Sequence, residues 1–88
     1  MKRFKVMVIL RDPKRQFTAA QFVTHITDDV NKAEGIAQNF NATPPVNRSP
    51  SIMHAVQAIS SLYPTSNLQA VAVVIGGGYR MVSPEHRI

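Results

Sequence analysis

The chain contains no cysteine and no tryptophan, and only five of its 88 residues are acidic. Without cysteine, neither a disulfide framework nor a thiolate zinc site is available. The few carboxylates supply no pair that would converge in a cleft, as general acid–base catalysis requires. His25, His54 and His86 fall on different predicted elements, without the spacing of metal ligands. These absences predict a protein with no catalytic residues, no metal site and no cofactor.

Long apolar runs are also missing. No segment approaches the length of a membrane-spanning helix. The apolar run 6–10 follows cations, as in a signal peptide, but Arg11, Asp12 and Pro13 close it too early for a signal-peptide core. Together with the lack of cysteine, this predicts a cytoplasmic location. The length predicts one domain, 1–88.

A strand is predicted over 4–11, because apolar and mixed positions alternate with period two. One face would carry Phe4, Val6, Val8 and Leu10, and the other Lys5, Met7, Ile9 and Arg11. The first face is typical of a strand that packs against a core. The second combines cations with two apolar side chains.

Residues 16–26 admit two interpretations. A single helix over 18–40 has a capping box at its start and an apolar stripe. The alternative is a second strand hairpinned to the first, followed by a helix that Thr27 caps. Asp28 and Asp29 would then occupy the first helical turn, where the helix dipole favours negative charge. We prefer the strand, because it explains the acidic pair by position.

The next segment, 42–49, is interpreted as an interhelix linker because it contains two consecutive prolines. Ser49 is predicted to cap a second helix with Pro50 in its first turn, and Pro64 to end it. The predicted buried stripe of this helix consists of Ile52, Ala55, Val56, Ile59 and Leu62.

The run 68–75 is almost continuously apolar, which is typical of an interior strand covered on both faces. Three glycines follow at 76–78, and 79–83 alternates like a short return strand. A phosphate-binding loop would need Lys and a hydroxyl beside the glycines, and a dinucleotide fingerprint needs a third spaced glycine where Met81 stands. The glycines therefore predict a hairpin turn.

These elements together predict an α+β fold. The arrangement is a small two-layer sandwich, in which an antiparallel sheet of two hairpins carries two helices on one face. The order along the chain is β-β-α-α-β-β.

The charge distribution is uneven. Net charge is +5, and six cations against one carboxylate in residues 1–15 account for all of it. A basic N-terminal hairpin of this kind is typical of a non-enzymatic protein that binds nucleic acid or another polyanion through phosphates. The predicted contact residues are Arg3, Lys5, Arg11, Lys14 and Arg15, with Tyr79 for stacking and Arg80 at the rim of the sheet.

The alternative is a protein–protein interaction module. Met7 and Ile9, flanked by cations, would form an apolar patch that pairs with an acidic protein surface or with a second copy in a homodimer. Small basic α+β proteins without a reaction centre are common among phage and mobile-element accessory factors, which include inhibitors of host defence proteins.

Overall fold

The computed structural model describes residues 3–76 and 80–82. Its elements, in chain order, are β1 (Phe4–Asp12), β2 (Phe17–Thr27), α1 (Val30–Ala42), a 3-10 turn (Pro45–Asn47), α2 (Pro50–Ser60), β3 (Gln69–Gly76) and β4 (Arg80–Val82). All sheet pairings are antiparallel, and the spatial order of the strands is β2-β1-β3-β4. The predicted α+β class, with an antiparallel sheet and two helices, is confirmed.

The four-strand order is matched only in part. The sheet consists mainly of three long strands, and the short β4 pairs only with Val74, Ile75 and Gly76 at the end of β3. The turn of the predicted second hairpin, including Gly77 and Gly78, lies outside the described residues, as does residue 83. The first hairpin is present as predicted, and the strand interpretation of 16–26 is confirmed.

The core lies between β1 and α1. The predicted inner face of β1 is correct, since Val6, Val8 and Leu10 are fully buried. Full burial of one such side chain contributes about 1.5–3 kcal/mol. The rest of the buried cluster consists of Ala33 and Ala37 on α1 and Ala72 and Val74 on β3. Since the facing residues of α1 are alanines, the helix can lie close to the sheet.

The cap of α1 differs from the prediction. Thr27 remains in the sheet, paired with Phe4, and is therefore not the cap. Asp29 caps the helix instead, and its Oδ1 accepts from the N–H of Asn31 at 2.9 Å and of Lys32 at 3.3 Å. The acidic pair therefore precedes the first turn, where it still lies at the positive end of the helix dipole.

The C-terminal end of α1 is fixed to the sheet by one side chain. The Asn41 amide donates from Nδ2 to the carbonyl oxygen of Ala72 at 3.0 Å. Its Oδ1 accepts from the Ala72 N–H at 2.8 Å. Asn41 thus forms both hydrogen bonds that a neighbouring strand would form at that position.

The second helix begins as predicted and packs less deeply than predicted. Ser49 accepts from the Ile52 N–H at 3.3 Å, and Pro50 is in the first turn. The helix ends at Ser60, and Leu62 is 72% exposed, so its placement in the buried stripe is wrong. No residue of α2, which is described in full, is fully buried. Val56 reaches the core only at its margin.

Gly76 has a packing role. It lies opposite Phe4 across the β1–β3 pair, and the Phe4 ring occupies the space where a Cβ would stand. Gly35, in the middle of α1, has open space at the same position. The two glycines therefore respond differently to an added methyl group.

We expect Gly76→Ala to lower the free energy of unfolding by about 1–3 kcal/mol, because the methyl group displaces the Phe4 ring. Gly35→Ala should raise it by about 0.5–1 kcal/mol, because alanine is the better helix former. Urea denaturation of both variants measures the two changes. A loss of stability in both, or in neither, would contradict this assignment.

Candidate functional site

The sheet face opposite the helices is apolar on all three long strands. Cα partners that lie directly opposite one another share a face. Met7 of β1 lies between Val23 and Val73, and Ile9 lies between Gln21 and Val71. The apolar members of this surface, which we call the open face, are Met7, Ile9, Val23, Ile26, Val71, Val73 and Ile75.

No helix in the described part of the chain covers the open face. Ile26 is 55% exposed and Val23 is 43% exposed, whereas Ile9 and Val73 at the centre are buried, at 8% and 4% exposure. The prediction that β3 is covered on both faces is matched in burial at its centre, where Ala72, Val73 and Val74 are all buried. Among the described helices, packing is seen on the face that carries Ala72 and Val74.

Cations stand at the two ends of the open face. Lys5 lies between Ile26 and Ile75, and Arg11 lies between Thr18 and Gln69. Both cations are exposed. Arg11 stands six positions after Lys5 along the strand, which corresponds to about 20 Å. None of the paired positions on this face within the described ranges carries a carboxylate, so an apolar centre has a cationic and polar border.

The remaining predicted contact residues lie elsewhere. Lys14 and Arg15 are exposed at the tip of the β1–β2 hairpin, and Arg3 is exposed just before β1. Arg80 is the first residue of β4, opposite Gly76. Tyr79 lies outside the described residues. The structure thus brings the predicted basic residues to two surfaces, the open face and the hairpin tip.

A buried carboxylate organises the hairpin tip. Asp12 is 3% exposed, and its Oδ1 accepts from the backbone N–H of Lys14 at 3.0 Å and of Arg15 at 3.1 Å. Burial acts to raise the pKa of Asp12. Hydrogen bonds from the backbone of Arg15, Lys14 and Asn67, together with the Arg15 charge, outweigh that effect and lower the pKa below its ordinary value.

The tip is also attached to the loop that precedes β3. Arg15 Nη1 lies 3.5 Å from Thr65 Oγ1, and the rings of Phe17 and Tyr63 are 5.6 Å apart between centroids. These contacts hold the tip against the loop between α2 and β3. Gln16 completes the turn in the left-handed region, with φ of 55°.

The described residues contain no group of three or more His, Cys, Asp or Glu side chains that could hold a metal ion. None of the helices in 3–76 is long and apolar enough to cross a membrane. No family model, curated protein or solved structure matches the chain. Function therefore has to be inferred from the surfaces themselves.

Most residues of the open face were not predicted as site residues. Met7 and Ile9 were included in the alternative hypothesis, whereas Val23, Ile26, Val71, Val73 and Ile75 were not. Val71, Val73 and Ile75 could have been identified because apolar and polar residues do not alternate along β3. A strand with one solvated face normally alternates apolar and polar side chains.

The lowered pKa of Asp12 makes a prediction about pH. A carboxyl group whose pKa is lower in the folded state stabilises the fold above its unfolded pKa, and this contribution is lost as pH falls through the folded pKa. We expect the unfolding free energy of the wild type to decline below about pH 4, and that of Asp12→Asn to decline less. Urea denaturation across this range tests the difference. Equal declines in the wild type and in Asp12→Asn would contradict this assignment.

Proposed function

We propose that the protein is a non-enzymatic interaction module that binds an acidic protein partner through the open face. The observation that carries the proposal is that β3 has two apolar faces, whereas the described helices pack on one of them. We infer that a partner supplies the second covering layer.

The free-energy cost of exposing apolar side chains to water favours a covering layer. Exposed apolar side chains that adjoin one another commonly mark interaction sites. On the open face Val23 and Ile26 are exposed, and Met7, Val71 and Ile75 are partly exposed. Covering a half-exposed Ile26 or Val23 side chain contributes about 1 kcal/mol, roughly half of the value for full burial. The central residues Ile9 and Val73 are already buried, so the rest of the contact area would come from the partly exposed Met7, Val71 and Ile75.

The charge on the border selects the kind of partner. Lys5 and Arg11 stand at opposite ends of the face, and neither has a carboxylate opposite it in the neighbouring strands. A second copy stacked on this face would bring more cations and no anions. A partner with an apolar centre and acidic side chains around it matches both features, since complementary charge also steers association.

Inhibition of a host protein by a phage or mobile-element accessory factor is one activity that such a module would serve. An inhibitor of this kind needs no reaction centre. It needs a surface that covers a functional part of its target, and the open face supplies one.

Crosslinking provides the main test. We expect a photoreactive amino acid at Ile26 to form an adduct with an acidic protein in the cells that make this chain. The same group at Leu62, which is 72% exposed in the turn after α2, should not form it. With the purified partner, Ile26→Glu should weaken binding at least about tenfold, because it places a charge in an apolar contact.

Two outcomes would overturn the proposal. One is an adduct between two copies only, together with a dimer mass in light scattering, which would identify a homodimer. The other is binding that Ile26→Glu leaves unchanged.

The border charges are tested separately. The variant Lys5→Glu/Arg11→Glu should weaken partner binding and reduce the salt dependence of that binding. The variant Lys14→Glu/Arg15→Glu at the hairpin tip serves as a charge-matched control.

A second candidate function is binding of nucleic acid or another polyanion by the hairpin tip. It is supported by the exposed Lys14 and Arg15 on a turn whose backbone N–H groups donate to Asp12, with the exposed Arg11 next to this turn at the end of β1. Because the backbone of the turn is hydrogen-bonded to Asp12, binding of phosphates has little main chain to order.

For this candidate, affinity for duplex DNA should fall with salt, with a logarithmic slope of about −3 for three phosphate contacts. The variant Arg11→Glu/Lys14→Glu/Arg15→Glu should abolish binding. A mobility-shift titration at two salt concentrations measures both effects. Unchanged binding by the triple variant, or no binding at low salt by the wild type, excludes the tip as a polyanion site.

A further inference from the structure

A groove lies on the other side of the molecule, between α2 and the start of β3. Its volume is ≈ 460 Å³, within the usual range of ligand sites. Its apolar walls include Ile52, Met53 and Val56 of α2, together with Val46 and Leu68. Since no residue of α2 is fully buried, this groove is where the apolar side of the helix remains accessible.

The edge of β3 borders the groove. On the side away from β1, Val74 and Gly76 pair with β4, and Ala72 bonds to the Asn41 amide. Because outward-facing peptide groups recur at every second residue, Ala70 is the next position whose N–H and C=O point outward. In the described part of the chain no strand pairs with it on that side. Ala70 also lines the groove.

One cation is positioned at the groove. The Cζ atom of Arg48 lies 4.1 Å from the centroid of the Phe40 ring, and its Nε donates to the Thr43 carbonyl at 3.1 Å. These two contacts fix the plane of the guanidinium and leave its terminal nitrogens available. A half-buried guanidinium held in this way suits bidentate binding of a carboxylate.

From these three features we propose that the groove binds an extended peptide segment of a partner by strand addition to the β3 edge. The Ala70 N–H and C=O would pair with the peptide backbone, the α2 wall would take an apolar side chain, and Arg48 would bind an acidic side chain next to it. Addition of a strand to an exposed sheet edge, with pockets for alternate side chains, is a general mode of peptide recognition. This site is separate from the open face.

The probe is the capped peptide acetyl-Thr-Val-Thr-Leu-Glu-amide, titrated into the 15N-labelled full chain. We expect amide shifts at Leu68, Gln69 and Ala70, with a dissociation constant of about 1 mM or below. Arg48→Gln should weaken binding about tenfold, as the loss of a charge-assisted hydrogen bond predicts. Lys32→Gln removes one positive charge near the other end of α1, at a residue that does not line the groove, and should leave probe binding unchanged.

The peptide is varied in parallel. Replacing its Glu by Gln should weaken binding to the wild type by about the same factor, and should not weaken binding to Arg48→Gln any further. This non-additivity would show that Arg48 and the peptide Glu interact directly. Methylation of the backbone nitrogens that face β3 should abolish binding. Thermal melting confirms that Arg48→Gln is folded.

No amide shift at saturating probe would overturn the proposal, and so would equal binding of the methylated peptide. Equal affinity for octanoate would show that the groove is a site for small apolar anions and not for a strand. Because Ile26→Glu on the open face should leave probe binding intact, failure here is distinguishable from failure of the proposed function.

Discussion

The packing of α1 on the central strand β1 determines the positions of the other elements. Ala33 and Ala37 present no bulk toward Val6, Val8 and Leu10, so the helix can approach the sheet closely. The Asn41 amide then fastens the end of the helix to Ala72 of β3. One short helix can cover only the middle of a sheet this size, so α2 is left at the margin. Two apolar surfaces remain, the open face and the groove.

These two surfaces differ in what they can recognise. The open face extends over three strands and is bordered by Lys5 and Arg11, so the proposed occupant is a folded partner that brings its own layer. The groove borders Ala70, which has no strand partner on that side among the described residues, and it has one oriented cation in Arg48. Its proposed occupant is a single extended segment.

Much of the fold follows from the sequence, because the alternating burial of β1 and the helix cap at Ser49 depend on residues that are adjacent in the chain. β2 was ambiguous for a physical reason. Register shifts between Val6 and Met7 and between Leu10 and Arg11 insert extra residues in β2. Val23 and Ile26 therefore share a face although they are three residues apart, a spacing that also suits a helix. Of the candidate site, the cations and the apolar pair Met7 and Ile9 were predictable from the sequence. Which face of a sheet a helix covers depends on tertiary packing and was not predictable.

The Asn41 amide has a consequence for how far the sheet can grow. An uninterrupted free edge would let identical chains add strand after strand, the route by which sheets become fibrils. By occupying Ala72, Asn41 divides the β3 edge into the short part paired with β4 and the short part at the groove. Each part is too short to template a long ladder. A single amide thus interrupts the β3 edge between its β4-paired part and its part at the groove.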